Sequence, residues 1–199
     1  MTIFDRERLT NDVFKIDFRR MRKGWYSDKY FENIGFMLRN LAEKRYLFQG
    51  RSLRLGHIDP SKTEVGNVEV EMQWFTRRLG KVVVAGVDKA LAMLRHCCGY
   101  FNAKGKFVNT WNHLEVEAVH DGATVTYRGD PRVIQPVMRV RGRYRDFALL
   151  ETPTLGLLTR SSRVATNVYE TLMAARGKPV LFFPARFDLH EVQAADGYA

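Results

Sequence analysis

The sequence predicts an α+β fold: a lobe of short antiparallel strands and helices, then a long helix, then the opening of an α/β domain. Three observations support this class. Short stretches of alternating apolar and polar residues recur between residues 68 and 142, separated by turn signals. A long helical pattern then runs from Asp146 to Gly177. The continuous apolar run PVLFF, residues 179–183, finally indicates a strand that is buried on both faces.

The first predicted helix begins after Ser27 and Asp28, because both residue types cap helix N-termini. A stripe of apolar side chains with helical spacing follows, made of Tyr30, Ile34, Met37, Leu38 and Leu41. Residues 51–58 then predict a short extended segment. The chain therefore enters its strand region through an amphipathic helix.

Alternating stretches predict most of the strands, and VEVEMQWF is the clearest of them because three polar residues alternate with apolar ones. The turn signals Asp121-Gly122 and Gly129-Asp130-Pro131 separate the later strands. The predicted strands are residues 68–75, 81–85, 114–119, 124–127 and 133–142.

Three further features refine this outline. Asp88 follows Gly86 and is expected to cap a helix that carries Val87, Leu91, Leu94 and Cys98 on one face. The polar stretch 102–112 predicts a hairpin or loop. Pro136 has no N–H to donate, so its strand is expected at a sheet edge or at a bulge.

The long predicted helix contains residues that interrupt or end helices. Pro153 and Gly156 are expected to kink or restart it, and Gly177 is the expected C-cap. The apolar strand and an amphipathic helix start come after it.

Composition restricts the classes of function. The chain has 199 residues, a net charge of +10 and 45% hydrophobic residues, enough for a core in one or two domains. No apolar run approaches the length of a bilayer span, and the start is not a secretory signal. The adjacent Cys97 and Cys98 fit a reduced, cytoplasmic protein without a zinc site. The basic balance suits nucleic acid or a phosphate-rich substrate, and would also arise in a fragment whose acidic half is missing.

Four segments carry a resemblance to the nicotinate phosphoribosyltransferases, a family of type II phosphoribosyltransferases related to the quinolinate enzymes. These segments are GWYSDKYF (24–31), VEVEMQWFTRR (68–78), ALLETPTLGLLTRSSRVATNV (148–168) and KPVLFFPARFD (178–188). The chain resembles the amino-terminal part of that family from Gly24 onward, and the last two segments are the most specific.

The resemblance implies an architecture and a reaction. The architecture is an open-faced α/β sandwich lobe (residues 1–147), a connecting helix (148–177) and the first strand and helix start of a β/α barrel (178–199). In the reaction nicotinate attacks phosphoribosyl pyrophosphate, giving nicotinate mononucleotide and pyrophosphate for NAD biosynthesis. Mg²⁺ attends the pyrophosphate, and nicotinate enzymes can couple turnover to ATP. A homodimer or higher homo-oligomer of the full-length protein is implied as well.

Candidate site residues follow from this chemistry and the matched segments. Arginine suits a pyridine carboxylate because its planar fork can bind bidentately, and Arg186 stands at the end of the predicted barrel strand. Phe14 occupies the position where the family often carries a stacking tyrosine. Arg160, Arg163 and Arg77 are candidates for a phosphate, although ion-paired or solvated roles stay open. No catalytic residue and no metal ligand is assigned.

Two departures favour nicotinate over quinolinate, which has a second carboxylate. Phe187 replaces the lysine that follows the barrel arginine in quinolinate enzymes, and Thr152 stands at the position of an arginine on their helix. Quinolinate phosphoribosyl transfer remains the alternative within this class.

The length of the chain sets a further expectation. A complete β/α barrel takes about 250 residues, whereas only residues 178–199 follow Gly177. We therefore expect an amino-terminal portion that is inactive alone. Two alternatives remain open: a small basic nucleic-acid-binding module, although nucleic acid is not the expected partner, and a remnant that assembles with intact copies.

Overall fold

The computed structural model describes residues 8–9, 14–50, 59–184, 186 and 188–199. The predicted extended segment 51–58 lies outside them. The helices are α1 (Phe18–Met21), α2 (Lys29–Glu43), α3 (Val87–Cys97), α4 (Tyr144–Phe147), α5 (Glu151–Ala175) and α6 (His190–Tyr198). The strands are β1 (Glu69–Phe75), β2 (Gly80–Val83), β3 (Gly99–Phe101), β4 (Phe107–Asn109), β5 (Glu115–Ala118), β6 (Thr124–Tyr127) and β7 (Pro136–Arg143).

Small antiparallel sheets connect the strands of the described region. One has the order β1–β7–β5, another pairs β2 with β6, and the third is the β3–β4 hairpin. Because β7 lies at the centre of its sheet, the predicted edge position is wrong. The predicted bulge is present: Trp74 opposes Met138 and Phe75 opposes Pro136, so Val137 is skipped. Pro136 is tolerated because it stands at the first position of the strand.

Helix α3 is the centre of the hydrophobic core, because most of its residues are buried from all sides. The largest fully buried side chains come from α3, β7 and the segment before α5, and include Leu94, Met138, Phe147 and Leu150. Leu158 of α5 joins the same cluster. Burying each such side chain contributes about 1.5–3 kcal/mol, so α5 belongs to the lobe as well as leading out of it.

The N-terminus of α3 is capped differently from the prediction. Gly86 is the N-cap residue and has a left-handed backbone (φ +92°). Asp121, in the turn between β5 and β6, accepts a hydrogen bond from the Val87 N–H at 2.7 Å. Asp88 lies one residue inside the helix and accepts instead from Arg8 and from the Leu9 N–H, both at 2.8 Å. The cap therefore comes from a residue distant in sequence.

The helical pattern predicted from Asp146 is divided into α4, a 3₁₀ turn (Ala148–Leu150) and α5, so a restart occurs just before Pro153 as expected. Gly156 lies inside α5, which is continuous from Glu151 to Ala175. Pro153 lies in its first turn, where a helix needs no N–H donor. Ser162 and Thr166 accept hydrogen bonds from the Ala85 and Val83 N–H groups at 3.1 and 3.0 Å. These hydroxyls occupy backbone donors along β2 that would otherwise be open to pairing with another strand.

The predicted strand at residues 179–183 does not form. Residues 178–184 have no regular secondary structure, and Leu181 and Phe183 are 79% and 70% exposed. A strand requires a neighbour for its N–H and C=O groups, and no described strand pairs with this segment. Helix α6 forms where a helix start was expected. The open-faced sandwich and the opening of a barrel stay predictions.

No helix in the described ranges is both long and apolar enough to cross a bilayer.

Candidate functional site

Two cavities lie on either side of the N-terminal half of α5. The larger, about 630 Å³, is bounded by α5 and by residues of β1, β2, β6 and β7. The smaller, about 450 Å³, lies between α5 and the start of α2. Both are lined by Glu151, Leu155, Thr159 and Arg163, which follow one another at intervals of four residues. This spacing places them on one helix face, so that face separates the two cavities.

The larger cavity combines an apolar interior with polar side chains. Its apolar lining includes Trp74, Val82, Val84, Val125, Val137 and Leu158. Thr76, Arg77 and Arg78 line it at the end of β1, and Thr159 and Arg163 line it from α5. Such a cavity suits an anionic ligand with an apolar body.

Two of the arginines around the cavities are already neutralised. Arg78 donates to Asn167 at 2.9 Å and to Glu170 at 3.0 Å. Arg160 donates to Asp196 at 2.6 and 3.2 Å and also to Asp188. The pKa of Arg160 is raised by its hydrogen bonds to Asp196 and then to Asp188. These bonds hold α6 against α5, so the guanidinium of Arg160 is occupied.

Arg77 and Arg163 have a different status. Neither makes an ion pair with any carboxylate of the described chain. The Arg77 guanidinium lies 5.6 Å from the centre of the Phe75 ring, and Arg163 is exposed between the two cavities. They are therefore the cations at this site that an anion could engage without displacing a protein partner.

The smaller cavity also contains carboxylates. Burial, followed by the nearby charge of Asp28, raises the pKa of Glu151. Glu151 makes no ion pair with a described arginine. The Thr152 hydroxyl lies 3.1 Å from both the N–H and a carboxylate oxygen of Asp28. This side of the site favours a ligand with little negative charge of its own.

The structure brings together only some of the predicted site residues. Arg77, Arg160 and Arg163 line the cavities, whereas Phe14 is half-buried and lines neither. Arg186 is exposed in a turn before α6, with φ +75°, and also lies outside both cavities. The roles of Phe14 and Arg186 stay predictions.

Sequence reasoning missed the shared face of α5 as a unit. The spacing of four residues from Glu151 to Arg163 is visible in the sequence and could have revealed this face. The contribution of Trp74 had no such signal, since a tryptophan in an alternating strand indicates only a buried position.

Comparisons with known proteins agree with this fold. The family model described as "Quinolinate phosphoribosyl transferase, N-terminal domain" matches residues 57–162, slightly more than half of the chain. The class is thus the amino-terminal domain of type II phosphoribosyltransferases. More particularly, the chain belongs to the quinolinate phosphoribosyl transferase N-terminal domain family. A search among curated proteins finds no match.

A solved structure has the same fold. It is described as nicotinate-nucleotide pyrophosphorylase from Pyrococcus furiosus, and it superposes with a TM-score of 0.59 over 94% of this chain at 17% identity. The chain spans 38% of the length of that protein. At this identity the likeness concerns the mixed α/β fold alone.

Proposed function

We propose that the chain is the amino-terminal portion of a nicotinate phosphoribosyltransferase. The complete enzyme would join nicotinate and phosphoribosyl pyrophosphate to give nicotinate mononucleotide and pyrophosphate. Membership of the family supports phosphoribosyl transfer. Quinolinate phosphoribosyl transfer is the alternative within the same family.

The observation that carries the choice of nicotinate is the charge of the smaller cavity. Its lining includes the carboxylates of Asp28 and Glu151, and Arg160 is neutralised by α6. Arg163 remains as its unpaired cation. In this proposal Arg163 contacts a phosphate and Arg186 holds the first carboxylate, so a second carboxylate would meet the negative charge of Asp28 and Glu151 without a cation of its own.

Thr152 supports the same choice. By resemblance it replaces an arginine of the quinolinate enzymes, and its hydroxyl is engaged with Asp28. A threonine hydroxyl cannot offer the bidentate charged contact that a guanidinium offers a carboxylate. We propose that this substitution reduces the affinity for quinolinate.

The remaining roles are proposals of the same kind. Arg77 and Arg163 would contact a phosphate or pyrophosphate group, while Arg186 and Phe14 would hold the carboxylate and the ring once the rest of the enzyme is present. We also propose a homodimer or higher homo-oligomer of the complete enzyme and a cytoplasmic location.

The described residues contain no group of three or more His, Cys, Asp or Glu side chains that could hold a metal ion. In this proposal Mg²⁺ accompanies phosphoribosyl pyrophosphate as part of the substrate, since Mg²⁺ usually binds through substrate phosphates and only one or two protein carboxylates. Coupling to ATP is a proposal that rests on the resemblance only.

Thermal protection tests the proposal. With the product of the complete coding sequence and Mg²⁺-phosphoribosyl pyrophosphate present, nicotinate at a hundredfold excess over its Kd should stabilise by about 2.7 kcal/mol, and quinolinate by much less. A Thr152→Arg variant should reduce that difference. Equal protection by the two acids would refute the choice of nicotinate, and indifference to both acids and to phosphoribosyl pyrophosphate would refute the function.

A further inference from the structure

A further charged cavity, separate from the two beside α5, lies between α1 and the β3–β4 hairpin. Its volume is about 580 Å³, and its lining comprises Ile16, Asp17, Phe18, Arg19, Arg22, Lys23, Phe101 and Phe107. None of these residues lines the cavities beside α5. We refer to this cavity as the α1–hairpin groove.

The groove is strongly basic. Arg19 and Lys23 are exposed, and the described chain provides no ion-pair partner for either. Lys104 and Lys106, at the tip of the same hairpin, are exposed and equally unpaired within that part of the chain. Arg19 and Lys23 line the groove itself, whereas Lys104 and Lys106 belong to the turn between β3 and β4.

The one carboxylate that lines the groove does not neutralise them. Asp17 accepts hydrogen bonds from the Arg20 N–H at 3.0 Å, the Arg20 guanidinium at 3.1 Å and the Tyr26 hydroxyl at 3.0 Å. These contacts, led by the backbone N–H, lower the pKa of Asp17. Its charge is therefore committed to α1 and the turn that follows.

Aromatic rings form the other part of the groove. Phe101 and Phe107 face each other across the hairpin with ring centres 5.3 Å apart, and Phe101 is 37% exposed. The Arg22 guanidinium lies 4.6 Å from the centre of the Phe107 ring and donates to the His96 carbonyl at 2.8 Å. Arg22 thus holds α1 against the hairpin, which fixes the rings between the unpaired cations.

From this arrangement we infer that the α1–hairpin groove binds single-stranded nucleic acid. Arg19, Lys23, Lys104 and Lys106 would contact phosphates, and Phe101, the more exposed ring of the pair, would stack an unpaired base on its face. Four dispersed cations match several linked phosphates better than the one phosphate of a mononucleotide. A duplex is less suited, because its bases are already stacked on one another.

The sequence suggested the opposite, since no segment interleaves basic and aromatic residues in a recognition pattern. The fold assembles that combination from α1 and from a hairpin far along the chain. The inference does not depend on the proposed function, because the two sites share no residue.

Fluorescence anisotropy with the full chain and a labelled single-stranded oligonucleotide of about 12 nucleotides tests the inference. A plot of log Kobs against log salt concentration between about 50 and 200 mM should have a slope near −3, since each of four phosphate contacts contributes about 0.7. The double variant Arg19→Glu/Lys23→Glu should weaken binding at least tenfold at low salt and reduce the slope by about 1.4.

A matched control carries the same change in net charge elsewhere. Arg176→Glu/Lys178→Glu alters two exposed residues beyond the end of α5 that do not line the groove. Its affinity should stay within about twofold of the unmodified chain. If both double variants lose affinity equally, binding follows net charge and the groove is not the site.

Two variants of Phe101 test whether a base stacks on its ring. Phe101→Ala should weaken binding about fivefold or more with an unchanged salt slope, and Phe101→Tyr should restore it because the ring face is kept. A duplex or a mononucleotide that competes as well as the single strand would overturn the inference. So would a slope near zero.

Discussion

The exposed face of the β1–β7–β5 sheet and the cavity wall of α5 both present arginines, in opposite electrostatic settings. On the sheet, Arg141 of β7 lies between Glu71 of β1 and Glu115 of β5 and pairs with both. Beside α5, Arg163 has no carboxylate partner in the described chain. The same residue type is neutralised in one region and available in the other.

The difference shows how a net charge of +10 is distributed. Residues of β7 alternate between the two faces of the sheet, so Arg139 and Arg141 stand on one face opposite glutamates in the same alternation. Arg139 pairs with Glu117. These two arginines are therefore balanced locally, and the surplus charge lies elsewhere.

The largest loss of stability is expected at the buried ion pair between Arg143, the last residue of β7, and Asp146. Arg143 donates to the buried Asp146 at 2.9 and 3.1 Å, and Asp146 is 4% exposed. Asp146→Asn would leave cations without their partner, so we expect a loss of about 3 kcal/mol and a fall in Tm of about 6–12 °C. Urea denaturation and thermal melting measure both.

The control for that change is Asp130→Asn, which removes an exposed pair with Arg132. It should cost far less stability than Asp146→Asn, because water screens an exposed pair. If Asp146→Asn costs no more than Asp130→Asn, then burial does not distinguish the two pairs.

A tenfold change in the affinity for pyrophosphate is expected at Arg163, which lines both cavities beside α5. Arg163→Met should leave stability within about 0.5 kcal/mol, because no protein partner is lost. It should weaken the affinity for pyrophosphate about tenfold, which corresponds to about 1.4 kcal/mol. Arg78→Met, which loses bonds to Asn167 and Glu170, should show the reverse pattern. Calorimetric titration with pyrophosphate measures the Kd of each variant. An unchanged Kd for Arg163→Met would show that Arg163 does not contact the ligand.

A smaller effect is expected on the sheet face. Arg141→Met removes two ion pairs whose members are largely exposed. We expect a small loss of stability at low salt, and a smaller one at 1 M salt, because water and ions screen surface charges. Melting curves at the two salt concentrations test this. A loss that does not depend on salt would indicate that packing, and not charge, is the contribution of Arg141.

The smallest effect concerns Glu151 and depends on pH. Burial, followed by the charge of Asp28, raises the pKa of Glu151 in the folded protein. The folded protein therefore loses stability relative to the unfolded chain as pH rises through this raised pKa and the carboxyl ionises. Glu151→Gln should raise Tm by about 1 °C at pH 7 and leave it unchanged below pH 4. Glu115→Gln, which loses an exposed ion pair, should not raise Tm at pH 7. A gain for Glu151→Gln that persists at low pH would contradict the electrostatic cause.

Local patterns in the sequence predicted most of the elements. The strand of residues 68–75 and the helix after Asp28 are present almost as predicted. The failures are at features that depend on a distant partner. Pro136 was expected at an edge or at a bulge; the bulge is present, whereas the edge position is wrong because β7 has a neighbour on each side. PVLFF was expected as a strand, yet no described strand pairs with it.

The candidate site divides in the same manner. The spacing from Glu151 to Arg163 could be read from the sequence, and Arg77 and Arg163 were identified as cations that could face a phosphate. Occupation of Arg160 by Asp196 could not be foreseen, because 36 positions separate the two residues and only the docking of α6 brings them together.

Neighbouring residues encode the periodic elements, the basic composition and the family resemblance, so all three can be predicted without a structure. Contacts between distant segments are what leave some cations free, bring Asp121 to the start of α3 and place α1 against the hairpin. Charge compensation requires contact between side chains that are remote along the chain, as in Arg141 and Glu71, which lie 70 positions apart. Such contacts are set by strand register and helix packing, and local patterns do not specify either.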